Sequence, residues 1–282
     1  MRNLYSLAHL TALGLAPPQL IDAASDAGYE YVGLRLNRTT PEEPLYDLVN
    51  DRMLMRETKA SLARSGIKVW DIEAARMDPS RDHLHYQAFL EAGAELGARH
   101  VLTQLPDPEK SRAVDRFGAL CDMAQPLNLN VSLEFVSWTE TPGLVEAARI
   151  VREVNRPNAS ILLDVLHFDR SCSDLTFLRA LPPGWFKWIQ VCDAPADHPP
   201  GPAEAIYTAR CERLIPGEGG IDIKSILACL PEGIVYSLEI PNDPSVTKVG
   251  FRGYVRRALN ETKLHLEGNR LSNSHFDQPS RR

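Results

Sequence analysis

Short apolar runs alternate along this chain with longer segments whose apolar positions recur every three or four residues. Runs near 3–8, 29–36, 67–74, 100–105, 130–136, 160–165, 186–193 and 234–241 predict strands. Segments near 17–27, 50–65, 82–97, 109–126, 142–154, 173–181, 221–230 and 247–267 predict amphipathic helices between them. Gly28, Gly66 and Gly97 each stand between a helical segment and the next strand, and Gly184 and Gly233 precede the last two strands in the same way. A glycine there closes a helix in the left-handed conformation without a Cβ clash.

Eight strand–helix units over about 250 residues predict an α/β fold, a single (β/α)8 TIM barrel whose strands all aim their C-terminal ends at one face. An open doubly wound sheet is the competing arrangement, and it calls for a Gly-rich phosphate-binding first turn that the sequence lacks. The barrel is expected over residues 1–267, followed by a polar, aperiodic C-terminal tail over 268–282. Two long loops, 37–50 and 194–220, follow strands and would lie on the catalytic face, the second with enough proline and charge to form a lid.

The chemistry concentrates where Ile161-Leu162-Leu163-Asp164-Val165-Leu166-His167 delivers a carboxylate and then an imidazole from the end of an apolar strand. Asn130-Val131-Ser132-Leu133-Glu134 and Val235-Tyr236-Ser237-Leu238-Glu239 repeat the design with one acid each. In a barrel, strands five to eight then end on Glu134, Asp164, Gln190 and Glu239, and neighbouring strands about 4.8 Å apart can bring them to one point. Converging carboxylates repel in a low-dielectric site. One divalent ion resolves this, and an all-oxygen set suits Mn²⁺ or Mg²⁺ best, with Co²⁺ or Zn²⁺ as alternatives. The plainer arrangement pairs the acids with Arg35, Arg210 and Arg213.

His167, three residues after Asp164, is expected to face the same cavity, where it would abstract a proton or bond a developing enolate. Arg210 and Arg213 in the long loop are candidates to clamp a substrate carboxylate or phosphate. Arg35, Glu73 and Gln104, at the ends of strands two to four, are further substrate-binding candidates, though Glu73 or Gln104 could simply partner Arg35. His83 and His85 read as surface residues. The run Pro216-Gly217-Glu218-Gly219-Gly220 is a weak phosphate-loop signal that more readily shapes a turn.

Composition narrows the field. A net charge of −6 argues against a surface built to hold nucleic acid, so a small-molecule substrate is expected. Five scattered cysteines without a C-x-x-C pair suit a reducing, cytoplasmic setting. The polar N-terminus does not read as a signal peptide, and the absence of long apolar runs predicts no membrane span.

Along residues 1–265 the sequence resembles the xylose isomerase-like TIM-barrel family of sugar phosphate isomerases and epimerases. The resemblance rests on the Ser-Leu-Glu134-Phe and Ser-Leu-Glu239-Ile strand ends, the Leu-Asp164-Val-Leu-His167 run, and Gln190 followed by Asp193. It implies that Glu134, Asp164, Gln190 and Glu239 hold one divalent metal, that Glu134 and Glu239 double as acid and base, and that His167 bonds a substrate oxygen. Most epimerases of the family carry His where Gln190 stands; the Gln is similar to that of bacterial 3-dehydroshikimate dehydratases, which also have an Arg in the loop beyond strand seven, similar to Arg210. The expectation is therefore an isomerase or epimerase of a small sugar or polyhydroxylated keto compound, acting by α-proton abstraction and a metal-stabilised enediolate. A metal-dependent dehydratase of the 3-dehydroshikimate or keto-inositol type shares the first half-reaction and is the alternative. A non-catalytic binding barrel comes next, and a DNA-repair endonuclease would need strand-end histidines that are scarce here. A homo-oligomer through the barrel face or the C-terminal helix is compatible with the sequence.

Overall fold

The apolar runs become strands β1 (Leu4–Leu7), β2 (Tyr31–Arg35), β3 (Lys68–Arg76), β4 (His100–Gln104), β5 (Asn130–Glu134), β6 (Ala159–Asp164), β7 (Phe186–Val191) and β8 (Val235–Leu238) in a computed structural model that describes residues 3–273. Each pairs in parallel with its sequence neighbours, and β8 closes on β1 with Ser237 opposite Ser6. The (β/α)8 barrel is thus the observed architecture. Around it run α1 (Pro17–Ala27), α2 (Arg52–Ser65), α3 (Gln87–Glu95), α4 (Lys110–Ala124), α5 (Leu144–Val154), α6 (Val165–Arg170), α7 (Leu175–Ala180), α8 (Pro202–Cys211), α9 (Ile223–Leu227) and α10 (Asp243–Asn273).

Local chemistry explains most element ends. Asp51 caps α2 by accepting from the backbone N–H groups of Met53 and Leu54, and Glu109 does the same for α4. Gly28 (φ 93°) and Gly66 (φ 74°) terminate α1 and α2 in the left-handed region, as their positions predict. Gly184 differs: it lies in a short 3-10 turn, Pro183–Trp185, rather than at a helix end.

Three elements depart from the sequence reading. Loop 194–220 contains α8, whose first residue, Pro202, is pre-organised for a helix start. The residues after Asp164 turn at once into α6, a helix too short for periodicity to announce. The last helix begins at Asp243, is interrupted at Gly250 (φ 72°, ψ 162°), and runs to Asn273, so the tail placed at 268–282 begins inside it; residues 274–282 lie outside the described part. Among the described residues no helix is long and apolar enough to cross a membrane.

Two apolar cores hold the fold. The larger fills the space between barrel and helices, while Trp70, Ala74, Leu102, Leu162, Trp188 and Val235 plug the barrel interior. Trp188 donates its Nε1–H to Ser132 Oγ at 3.0 Å, which satisfies the one polar atom that so large a buried side chain brings. Above the plug the inward positions at the C-terminal ends of the strands turn polar, and the site is built there.

Candidate active site

Strand β6 presents Asp164 at its last position, where the carboxylate serves two masters. Its Oδ1 accepts from the backbone N–H of Leu166 at 2.8 Å and so caps α6. Its Oδ2 accepts from Arg213 Nη1 at 2.7 Å. Capping fixes α6, and α6 places His167 on the same cavity as Asp164, which gives the Asp-x-x-His spacing its physical meaning.

Arg213 is buried and almost fully engaged. Beyond Asp164, Nη2 pairs with Glu239 Oε2 at 2.9 Å and Nε donates to the carbonyl of Ala209 at 2.8 Å. The segment carrying it is tied down by an antiparallel bridge between Asp193 and Leu214 and by the Arg213 N–H bonding the Pro241 carbonyl at 2.9 Å. Asp193 anchors the turn that follows: its oxygens accept from the backbone N–H groups of Gly217, Gly219 and Ile221 at 2.9–3.0 Å. The glycine-rich run thus wraps a carboxylate of the chain itself.

The opposite wall is built on β2 and β3. Arg35 bonds Glu73 at 2.8 Å and Glu43 at 3.2 Å, and reaches Glu239 at 4.0 Å. Arg210, on α8, joins the same Glu43 at 3.1 Å, so one carboxylate links the two long loops across the mouth. Gln104 does not partner Arg35; its Nε2 donates to Glu134 Oε2 at 2.6 Å. Gln190 donates from Nε2 to Glu239 Oε1 at 2.9 Å, leaving its own Oε1 without a partner among the described residues.

Charge dominates the site. Glu73, Glu134, Asp164 and Glu239 are all buried, and among the described residues Arg35 and Arg213 are the buried guanidinium groups. Burial first, then repulsion from Glu239 and Asp164, pushes the Glu134 carboxyl well above its ordinary range. Burial raises Glu239 to about 7, with Arg213 opposing and Glu73 and Asp164 adding to the rise. His167 is pushed down to about 4, mainly by burial, so its ring is neutral near pH 7.

Glu134, Asp164 and His167 place one potential ligand atom each within 4.8 Å of one another. His167 Nδ1, Gln190 Oε1 and Glu73 Oε1 are buried and unpartnered among the described residues. An acid-rich pocket with open lone pairs fits a divalent cation, because the ion would satisfy the lone pairs and offset the surplus negative charge. The pairing of acids with arginines is also real, since Arg213 holds Asp164 and Glu239, but among the described residues it leaves Glu134 without an ion-pair partner.

Every residue expected from the sequence to act in catalysis, metal binding or substrate binding lies at this end of the barrel, whereas His83 is half-buried and His85 exposed away from the cleft. Glu134, Glu239, His167, Arg35, Gln104, Arg210 and Arg213 line one cleft, with Glu73, Asp164 and Gln190 behind them. His9, also at a strand end, is taken up structurally: Nε2 bonds the Leu15 carbonyl at 2.9 Å and Nδ1 accepts from the Arg35 N–H at 3.0 Å. Sequence reasoning missed Arg76, Trp138 and Glu43. Arg76 lies beyond the predicted end of the third strand, and nothing in the pattern marks Trp138, which meets His167 edge to face at 4.9 Å. Glu43 sits in a loop whose fold over the mouth only tertiary contacts reveal.

An inosose isomerase of Bacillus subtilis (strain 168) is 29% identical over 157 residues, which span 52% of this chain and 54%, about half, of that relative. An inosose isomerase of Bacillus velezensis is 26% identical over 235 residues, 76% of this chain and 78% of the relative. The solved structure of the IolI protein with a bound zinc atom superposes with a TM-score of 0.78 at 19% identity, covering 98% of this chain and all of that one. A family model described as the xylose isomerase-like TIM barrel matches residues 21–262, and the chain belongs to that family.

Proposed function

We propose that the chain is a divalent-metal-dependent isomerase or epimerase of a small polyhydroxylated keto compound. The observation that carries this reading is the pair of carboxylates, Glu134 on β5 and Glu239 after β8, that face one cleft from separate strands. Inverting or moving a C–H bond next to a carbonyl needs one group to take the proton and another to return it. Burial raises both carboxyls, and Glu239, raised to about 7, can hold or release a proton near physiological pH.

The residues proposed to hold the ion are Glu134, Asp164, Gln190 and Glu239, with His167 as a further donor within reach. Mn²⁺ or Mg²⁺ is proposed from the oxygen-rich set, and Zn²⁺ is supported by the imidazole and by the zinc-bound relative. When bound, the ion supplies positive charge that polarises the carbonyl and offsets charge on the deprotonated substrate. Gln104 and Gln190 fix the orientations of Glu134 and Glu239 through the hydrogen bonds described above. His167, neutral and open at Nδ1, accepts a hydrogen bond from a substrate hydroxyl, Arg35, Arg210 and Arg213 set the charge of the cleft wall toward the substrate, and Glu73 fixes Arg35 from behind. The unpaired cysteines support a reducing, cytoplasmic setting.

A dehydratase is the second reading, favoured by Gln190 on β7. Both begin with the same proton abstraction, so one experiment addresses both: proton NMR in D₂O of the Mn²⁺-loaded protein with keto-inositols, ketoses and 3-dehydroshikimate, with Glu239→Gln as control. Deuterium should enter at an α-carbon, and a rearranged product supports the isomerase whereas loss of water supports the lyase. No exchange with any of these compounds by metal-saturated protein would sink the proposed chemistry for this substrate class.

A further inference from the structure

Four arginines line the cleft, and three have carboxylate partners within the protein. Arg35 is held by Glu73 and Glu43, Arg213 by Asp164 and Glu239, and Arg210 by Glu43 and the Thr39 hydroxyl. Arg76 differs. Among the described residues its guanidinium makes no hydrogen bond or ion pair, although its backbone carbonyl accepts from Tyr86 and from the Asp78 N–H. The nearest acid in sequence, Asp78, has its carboxylate taken by the backbone and hydroxyl of Ser80 at 2.9 and 2.6 Å.

The place of Arg76 is well defined. It is the last residue of β3, half-buried, in register with Gln104 on β4, and Gln104 in turn donates to Glu134. Trp138 and Thr139 line the same cleft from beyond β5. A guanidinium carries five N–H donors in a rigid fork, and leaving them without an acceptor in a half-buried setting is costly. The fork matches a planar carboxylate or a phosphate oxygen pair. We propose that Arg76 is the receptor for an acidic group on the substrate, so that the substrate of this site is an anionic polyhydroxylated carbonyl compound, a keto acid or a phosphate ester. This inference rests on the reading of the cleft as a metal-dependent keto-compound site and narrows its substrate class. One arm of Arg76 holds the acidic group while the carbonyl end of the molecule lies toward Glu134, one side chain away.

Isothermal titration of the Mn²⁺-loaded full chain with three ring polyols tests it: quinate, which carries a carboxylate; myo-inositol 1-phosphate, which carries a phosphate; and myo-inositol, which is neutral. At least one anionic probe should bind about 10- to 100-fold more tightly than myo-inositol, and Arg76→Gln should abolish that preference while leaving Mn²⁺ affinity unchanged. Arg76→Lys should restore part of it. Tighter quinate assigns a carboxylate, and tighter phosphate ester assigns a phosphorylated substrate. Equal binding of neutral and anionic probes, an anion preference untouched by Arg76→Gln, or failure of both anions to bind a protein that still takes up Mn²⁺ overturns the inference and leaves the metal-dependent reading standing. An Arg76-dependent anion preference in a chain that takes up no Mn²⁺ does the reverse.

Discussion

Arg213 donates to Asp164 at 2.7 Å inside the barrel mouth, with both side chains essentially inaccessible to water. The same guanidinium holds Glu239, so a single residue of the long loop after β7 ties the ends of β6 and β8 together. A buried carboxylate left without a counter-charge is among the more damaging states a fold can contain. Arg213→Met should therefore destabilise the metal-free protein by about 3–5 kcal/mol in urea unfolding at neutral pH. Added Mn²⁺ should stabilise this variant more than the parent, because the ion would take over part of the compensation. A variant as stable as the parent without metal would show that Asp164 and Glu239 do not depend on the arginine.

Glu134 and Glu239 are expected to divide the proton transfers. Glu134→Gln and Glu239→Gln each keep the size of the side chain but remove the proton-accepting oxygen, and at position 239 the amide also gives up one of the acceptors used by Gln190 and Arg213. Each should slow α-proton exchange by about 10²- to 10⁴-fold while circular dichroism stays unchanged. Full exchange in either variant would remove that residue from the list of bases.

Stability should respond to pH through a histidine far from the site. His100, at the start of β4, lies among Trp70 and Trp188 with ring centroids at 4.8 and 6.0 Å, and burial, followed by Lys187 and Arg99, pushes it down to about 3. A base with a depressed folded value is protonated first in the unfolded chain. Its contribution is therefore intact above about pH 6.5 and is lost as pH falls from there toward 3. At pH 4.5 the loss from this group is about 2–3 kcal/mol. Unfolding free energies measured between pH 7 and 4.5 should fall less steeply in His100→Phe than in the parent; equal slopes would refute the assignment.

The turn wrapped on Asp193 offers a steric test. A Cβ on Gly219 would lie 2.3 Å from the Ala194 carbonyl oxygen and 2.4 Å from Asp193 Oδ1, closer than real Cβ atoms come. Gly219→Ala should cost about 1–3 kcal/mol and weaken Mn²⁺ binding, since the same turn supports Arg213. Gly28→Ala, which meets no neighbour but must hold a φ of 93°, should destabilise without touching metal affinity. Titration of both variants with Mn²⁺ separates the two effects, and an unaltered affinity in Gly219→Ala would show that the turn does not support the site.

Much of this was legible in one dimension. Short apolar runs and period-3.6 patterns name the eight strands and most helices because a strand covered by helices must be apolar throughout and a covering helix must be apolar on one side. A carboxylate that follows such a run has to sit at a strand end, so Glu134, Asp164 and Glu239 were visible as a set. The short helix α6 escaped, since six residues carry too little periodicity and its start depends on Asp164 acting as a cap.

The sequence by itself determined the parallel barrel and the acids at its mouth, because burial pattern and strand direction are local properties repeated unit by unit. Only the tertiary structure decided which cations meet which acids. Arg213 lies 49 residues from Asp164 along the chain, and Arg210 lies 167 from Glu43. Pairings over such separations follow from how loops fold across the barrel end, which no local pattern encodes. By the same reasoning Arg76 stands out as the cleft arginine without an ion pair among the described residues only once the partners of Arg35, Arg210 and Arg213 are known in space.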